Sequence, residues 1–577
     1  MARPAPVPAK KSPTAAAGTP PNAAFLFAEG NYSTAQDKLM GRMSATENFL
    51  RGFVRHSGVE EFHCCVARQE DLDQFKRRVS EFAGGERPVK GVTPTDLGRI
   101  ADHATLYRPG PNVGYFAWLR RPHGNRRFSI CGVTHTTAEH VVMDGLGESV
   151  LAPTQAWDAL VCTSTQVRAM VERLMDNFAD YLAARSGGKA VRPIRLPLIP
   201  LGVDCEVFAA TPERKREGAA LRKSLGIAEE DVVVLFVGRL THIEKANPLP
   251  MLLALEAAAK RTRRKIHLLQ AGWFAGPEME KTFRNGAARF APSVTHHWID
   301  ARKPEHRYTV WAAGDIFTSL SDNIQETFGL TPIEAQAAGL PVVVSDWDGY
   351  RDTVAHGEQG FTVPSFMPPP GTAGDIALRY AAGIDGYGRY CMATSQSIAI
   401  DIDAAAEAYR RLIEDAGLRA KMGAAGIANA RDRFDWKIVI RAYQDLWREL
   451  AEARRSAPES MPAEAGKPLH PLRDDPFTLF AEYPTAFVAG ETMAALAPGG
   501  ARQRLADLKR SALANIMPGV LLPEAELWSL AEKLGKGPRS VADLVDGLPE
   551  AKRGIALRSI GWLAKIGLVK LSAPKGG

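Results

Sequence analysis

The sequence predicts an α/β protein with two doubly wound parallel-sheet domains facing a cleft, followed by a small, mainly helical C-terminal domain. Three observations carry this. Short apolar strands alternate with helical segments from Ala24 onward and again after Asp204, the alternation that builds parallel sheets with crossover helices. Several strands, Asp231–Val237 above all, are near-continuously apolar. Beyond a Pro-, Ala- and Glu-rich stretch at Ser456–Pro471 the pattern changes to helix, turn, helix, strand. The 577 residues leave room for several domains, and 45% hydrophobic with 24% charged residues is ordinary for a soluble globular chain. The net charge of +7 suits an anionic substrate, a phospholipid surface or nucleic acid, and chooses none of them.

Residues 1–22 are rich in Pro, Ala and Lys, lack the apolar core of a signal peptide, and read as a disordered tail. No run approaches the roughly eighteen apolar residues of a membrane span. The expected location is therefore cytoplasmic, with any membrane contact peripheral, at the inner face. The first domain is placed at 23–205. Its strands are expected at Ala24–Ala28, Glu61–Val66, Gly114–Leu119, Phe128–Thr134 and Ala159–Cys162, and its helices at Lys38–Arg55, Asp71–Phe82 and Thr165–Ala184. The second domain, 206–436, has strands at Asp231–Val237, His267–Ala271, Val294–Ile299, Ile316–Ser319 and Val342–Ser345, with helices at Leu249–Arg263 and Ile333–Ala338. A helix at 437–455 follows, with Ile438, Ile440, Tyr443, Leu446, Trp447 and Leu450 as its apolar positions, then a linker at 456–474 and a last domain at 475–577. The six cysteines show no CxxC pair and no metal-ligand spacing, which reads as reduced, buried thiols.

In open parallel sheets ligands sit beyond the carboxyl ends of the strands. Three loops there carry suitable residues. Gly238 allows close approach, and Arg239 and Lys245 supply two cations able to neutralise a diphosphate, although a solvated surface carries such pairs too. Glu326-Thr327-Phe328-Gly329-Leu330 leads into a helix N-terminus, whose free amides and positive dipole end favour negative charge. There Thr331 suits the N-cap, Pro332 the first helical position and Glu334 a capping box, so Glu334 has a structural explanation and Glu326 has none. On one continuous helix the two glutamates would stand about 80° and roughly 12 Å apart; a loop followed by a helix start lets both face one elongated ligand. The third loop holds Asp346-Trp347-Asp348, which reads as surface acids rather than a metal site.

The spacing Glu326-x7-Glu334 resembles the signature of retaining GT-B glycosyltransferases of family 4. The resemblance runs in order through Gly132–His135, Leu201–Asp204, Val237–Leu240 with Lys245, Ala313–Asp315, the glutamate pair, Gly349 with Asp352, His356–Pro364, Leu418–Gly423 and Phe434–Trp436, covering about residues 24–455. It implies a GT-B fold of two Rossmann-like domains, the first for the acceptor and the second for a nucleotide sugar. It implies that Arg239 and Lys245 bind the donor diphosphate, that Glu334 accepts from the ribose hydroxyls, and that Glu326 stands beside the donor sugar. The amides of Phe328, Gly329 and Leu330, with Thr327 and Gly238 nearby, would hold phosphate and sugar, and His135 would reach the sugar from across the cleft. Gly41 resembles, loosely, the family's glycine loop near the diphosphate. The chemistry implied is metal-independent hexosyl transfer with no cofactor, from a nucleotide-diphosphate sugar to a hydroxyl of a glycan, lipid, metabolite or protein. Between Val363 and Asp403 the chain is longer than the family minimum, and Pro368–Gly371 with Tyr387–Gln396 reads as an elaborated loop over the cleft whose tyrosines could touch the acceptor.

The last domain resembles a winged helix. Ser540 caps a helix to Val545, a second helix spans Ala551–Lys565, and Leu568–Leu571 is a strand. A protein partner is its expected ligand. Nucleic acid is disfavoured, because the second helix offers only Lys552, Arg553, Arg558 and Lys565. The basic clusters Arg120–Arg127 and Lys260–Lys265 read as solvated faces, with phosphate or anionic lipid as the other reading. A chain that binds nucleotide sugars without transfer, or a scaffold acting through residues 475–577, is the alternative function; the presence of Glu326, Arg239 and Lys245 favours transfer.

Overall fold

The computed structural model describes residues 19–32, 41–100, 105–189, 192–499, 501–514, 517 and 519–572. The chain divides into two compact units, Met1–Leu469 and His470–Gly577.

The first unit holds two six-stranded sheets. The first contains β1 (Ala23–Leu26), β2 (Phe62–Cys65), β3 (Val89–Val92), β4 (Thr105–Tyr107), β5 (Ser129–Val133) and β6 (Ala159–Val161), in the order β3-β2-β1-β4-β5-β6 with every pair parallel. The second contains β7 (Val232–Leu240), β8 (Ile266–Phe274), β9 (Thr295–Asp300), β10 (Ile316–Ser319), β11 (Val342–Ser345) and β12 (Gly360–Val363), in the order β12-β11-β10-β7-β8-β9, again parallel throughout. The two orders are the same topology read from opposite edges. Each sheet reverses its winding between its first and fourth strands, β1 and β4 or β7 and β10, which opens a crevice for a ligand at the strand ends. This is the two-domain α/β architecture the sequence predicted. After β12, β13 (Ser365–Phe366) pairs antiparallel with β14 (Ala399–Ile400), closing an excursion that carries the helices Gly374–Ala381 and Tyr387–Ser395.

Several local expectations are corrected. Gly114–Leu119 is not a strand but part of the helix Val113–Arg120, in which Val113, Gly114, Phe116, Ala117 and Arg120 are buried at helical spacing. A short apolar run does not separate strand from buried helix by itself. β3 and β4 escaped notice because one is a partly exposed edge strand and the other has three residues. The tail expected over 1–22 is fastened by its end, where Pro21 O accepts from Gln444 Nε2 (3.1 Å) and Asn22 Nδ2 donates to Glu61 O (2.8 Å). The rest of it, 1–18, lies outside the described residues, as do 38–40 of the helix expected to begin at Lys38.

The helix Trp436–Ser456 returns to the first domain. Val439, Ile440, Tyr443, Leu446, Trp447 and Leu450 join one core with Phe25, Phe49, Phe53 and Phe62. Val439 rather than Ile438 belongs to the buried stripe, Ile438 being 36% exposed. The chain crosses between the domains twice, side by side. Val203 N donates to Phe434 O (2.8 Å), and Trp436 N donates to Val203 O (3.2 Å). Trp436 is gripped there, since a Cβ at Gly52 or Gly202 would lie 2.8 or 2.4 Å from its ring.

The segment expected as a linker is strapped to the first domain as far as Leu469. Arg121 donates to Leu469 O (2.9 Å) and Pro462 O (3.2 Å), Asn125 Nδ2 to Glu459 Oε1 (2.9 Å), and Gln155 Nε2 to Ser460 O (2.6 Å). The Arg120–Arg127 cluster is therefore only in part a solvated face, Arg126 and Arg127 being exposed and Arg120 and Arg121 buried. Arg120 is fully buried and forks onto Asp158 at 2.6 and 2.7 Å, the bidentate geometry that satisfies a guanidinium away from water.

In the second unit β15 (Met493–Leu496) pairs antiparallel with both β16 (Arg539–Ser540) and β17 (Val569–Ser572). The helices Glu524–Gly535, Val541–Val545 and Glu550–Lys565 enclose Leu527, Leu530, Val541, Leu544, Ile560 and Leu563. Ser540 Oγ accepts from Asp543 N (3.1 Å), the cap the sequence predicted. Lys552 is held by Glu526 at 2.9 Å, Arg553 donates to Leu548 O (3.4 Å) and Arg558 to Val520 O (3.2 Å). All six cysteines are free and buried. No described helix is long and apolar enough to cross a membrane.

Candidate active site

The loops after β7, β10 and β11 are stitched together at the switch point of the second sheet. Asn323 is the central stitch. Its Nδ2 donates to Ile243 O (2.9 Å), its Oδ1 accepts from Gln325 N (3.0 Å), and its carbonyl accepts from Trp347 Nε1 (3.0 Å). Asp322 adds a second stitch by accepting from Asn247 N (3.2 Å), and burial pushes its carboxyl up to about 7. Ser345 Oγ donates to Ser321 O (2.6 Å).

Within this frame Lys245 Nζ meets Glu326 Oε2 at 2.9 Å, joining two of the residues singled out from sequence. Burial alone would raise the Glu326 carboxyl. The charge and hydrogen bond of Lys245, with the backbone amides of Thr327 and Phe328, outweigh it and hold the group below its ordinary range. Arg239 is paired elsewhere in the same loop, its Nη1 lying 2.9 Å from Glu244 Oε2. Each of the two cations is thus paired with a carboxylate.

Glu334 is half-buried and stands on the helix Leu330–Ala337. The capping box expected there does not form. Gly329, not Thr331, is the N-cap, and no side chain caps the helix, because it begins at Leu330. Among the described residues no hydrogen bond to the Glu334 carboxylate is found. Burial pushes its carboxyl up to about 7, against the opposing pull of Arg307 and Lys245. The structural explanation that discounted Glu334 in the sequence is gone.

The loop leading to this helix is fixed from below. Phe328 is buried with Val203, Ile333 and Phe434, so the domain crossover and the site share a small core. Gly329 has φ 82°, and a Cβ there would lie 2.0 Å from Tyr350 Cε1. Only glycine fits. A Cβ on Gly349 would lie 2.4 Å from Phe328 Cα, and Tyr350 Oη is 2.8 Å from Ser319 Oγ, so the loop after β11 clamps Thr327–Leu330 against β10. The amides of Leu330 and Thr331 consequently open the helix at the crevice.

Gly238 lies within β7 beside Arg239. His135 follows β5 on the first-domain side, half-buried, in a loop whose Ala138 and His140 reach Tyr380 of the second domain. Gly41 is the first residue of the helix Gly41–His56, and residues 33–40 before it lie outside the described residues. Asp346-Trp347-Asp348 is not a surface loop. Ser164 Oγ donates to Asp348 Oδ1 (3.1 Å) across the domains, Asp348 takes a φ of 40°, and burial pushes its carboxyl up to about 8. Sequence reasoning missed Glu244, Asn323, Gln325 and Tyr350. Only Glu244, next to Lys245, carried a signal, as an acid between two cations.

Comparison with known proteins bears on this region. Residues 218–368 match the family model for glycosyl transferases group 1. The matched stretch contains both cations, both glutamates and the clamped loop. The D-inositol 3-phosphate glycosyltransferase of Corynebacterium efficiens is 32% identical over 210 residues, 35% of this chain and 48% of that protein. The enzyme of the same name from Geodermatophilus obscurus is 33% identical over 226 residues, 36% of this chain and 46% of its own length. The chain spans about half the length of these relatives. Among solved structures, Anabaena HepE in complex with UDP covers 74% of this chain and all of its own (100%), with a TM-score of 0.48 and 17% identity, a likeness too slight to carry an argument.

Proposed function

We propose that this chain is a metal-independent, retaining glycosyltransferase of the GT-B type that moves a sugar from a nucleotide-diphosphate sugar to an acceptor hydroxyl. The observation that carries the reading is the Lys245–Glu326 pair at the β7/β10 switch point, set beside the helix that begins at Leu330. The family match over 218–368 supports it.

In this reading the donor diphosphate displaces the two resting carboxylates. Lys245 turns from Glu326, and Arg239 from Glu244, to the phosphates. The bond from the anomeric carbon to the diphosphate oxygen breaks while the acceptor hydroxyl attacks the same face, and the proton released by that hydroxyl passes to the departing diphosphate. Arg239, Lys245 and the amides at Leu330 and Thr331 stabilise the charge that builds on the leaving group. Glu326, freed of Lys245, faces the sugar. Glu334 accepts from the ribose hydroxyls, and His135 closes on the sugar from the first domain. The names of the relatives make D-inositol 3-phosphate the first acceptor to try.

A panel of nucleotide sugars, scored by thermal shift and by slow donor hydrolysis, tests the reading. At least one donor is expected to raise Tm and to be hydrolysed, with Glu326→Ala and Lys245→Ala each lowering turnover roughly a hundredfold or more. If no donor binds, or both variants bind and turn over like the parent, the reading fails. Donor binding with no transfer to any hydroxyl would favour the binding-only alternative.

A further inference from the structure

The excursion between β13 and β14 is rooted in the second domain but ends on the first. Its two helices are stapled at their turn, Arg379 forking onto Asp385 at 2.7 and 3.0 Å. Tyr380 is the tip. Its ring stacks on Tyr390 of the neighbouring helix (4.1 Å, 6°) and on His140 of the first domain (3.7 Å, 24°). Its hydroxyl donates to Ala138 O and accepts from His140 N, both at 3.1 Å, and its carbonyl accepts from His140 Nε2 at 3.0 Å. One side chain and its backbone thus hold the first domain by three hydrogen bonds and a ring stack, within five residues of His135.

The second helix reaches back into the site. Tyr387 Oη donates to Gln325 Oε1 at 3.2 Å, next to Glu326 in sequence. A Cβ on Gly388 would lie 3.3 Å from Ile243 Cγ2 and 3.5 Å from Glu244 Oε1, so this helix lies against the loop that carries Lys245. The proposed catalytic side chains are Glu326, His135, Arg239 and Lys245. The excursion touches the chain beside three of them, on both domains: next to Glu326, next to Lys245, and just after His135.

We propose that this excursion is an interdomain clasp, and that Tyr380 and Tyr387 are positioning residues for sugar transfer. Tyr380 holds the two domains at their working separation, and Tyr387 braces the turn from which Glu326 projects. The kinetic half of the proposal rests on the transferase reading above; the mechanical half does not.

The test uses the full chain with spin labels on Lys76→Cys and Lys281→Cys, exposed positions in the first and second domains, the native cysteines being buried. Without ligand, the parent is expected to give one narrow inter-label distance, which Tyr380→Ala broadens or lengthens. His140→Ala, changed from the opposite domain, is expected to broaden it equally, and Tyr380→Phe, which keeps the rings but loses the hydroxyl bonds, to an intermediate degree. In turnover, Tyr387→Phe is expected to lower kcat roughly tenfold, with the donor KM within about twofold of the parent. Distance distributions unchanged in Tyr380→Ala and His140→Ala overturn the clasp, whether or not a substrate is found. An unchanged kcat in Tyr387→Phe, in a parent that transfers sugar, overturns the positioning role. A parent that binds no nucleotide sugar defeats the transferase reading and leaves the distance measurement to decide the clasp.

Discussion

At the scale of single residues, the two glutamates exchange weight between sequence and structure. Glu326 lacked a local explanation in the sequence and acquires a partner, Lys245, in the fold. Glu334 had an explanation, the capping box, and loses it because the helix starts at Leu330. Burial pushes its carboxyl up to about 7. As pH falls through that value it takes up a proton and becomes a poorer acceptor, so the donor KM is expected to rise toward acid pH, and Glu334→Gln to show a high KM that is flat with pH. Initial rates across the pH range check this. Stability depends on pH the other way from donor binding, as Asp322 and Asp348, pushed up to about 7 and about 8, illustrate. A carboxyl whose pKa is raised by folding binds its proton more tightly in the fold than in the unfolded chain, so ionisation destabilises it. These two carboxyls contribute stability that is lost as pH rises from the ordinary carboxylate range to about 8, so Asp348→Asn should gain stability over the parent at the alkaline end, read as Tm against pH. Gly329→Ala forces a Cβ into Tyr350 at a positive φ and is expected to cost about 3 kcal/mol in urea unfolding. Asn323 could not be assigned from the sequence, because which amide stitches two loops is decided by segments far apart in the chain; Glu244 lies in the same loop as Arg239, and only the fold of that loop pairs the two.

At the scale of elements, legibility followed burial on both faces. β10 and β11 have the bounds the sequence predicted, and both are buried along their whole length. The helix Val113–Arg120 is just as apolar and was misread for that reason. What marks it as a helix is the burial of Arg120, one turn beyond Phe116 and Ala117, and a buried arginine is legible only once its acid is known. That acid, Asp158, also accepts from Ile130 N (2.9 Å) and Gln155 N (2.8 Å), tying β5 to the turn before β6. Asp158→Ala strands a guanidinium without its partner, and a loss of about 3–5 kcal/mol is expected by chemical denaturation. The same change should free the neighbouring strap, seen as faster amide exchange over 457–469.

At the scale of the molecule, the doubled α/β pattern, the returning helix and the separate terminal unit were all visible in the order of elements, which periodicity reports well. The extent of the linker was not. Its composition is that of a free segment, yet Arg121, Asn125 and Gln155 hold it by backbone carbonyls, a contact open to almost any sequence. Limited trypsin digestion should therefore spare 457–469 and cut first after exposed Arg473, leaving two fragments that each keep a cooperative unfolding transition.

The paired crossover at Val203 and Trp436 has a mechanical consequence. Two strands joined side by side by hydrogen bonds resist twisting and sliding much better than a single strand, and leave mainly one soft coordinate, an opening angle. With the crossover as axis, the contacts Tyr380–His140, Asp348–Ser164 and Asp352–Thr165 act as bolts between the same two domains. A body on one axis with its bolts thrown does not swing. On the clasp proposed above, a bulky ligand is expected to enter only when such a contact opens, and the rate of that release would then be an upper limit on how often the site can be refilled.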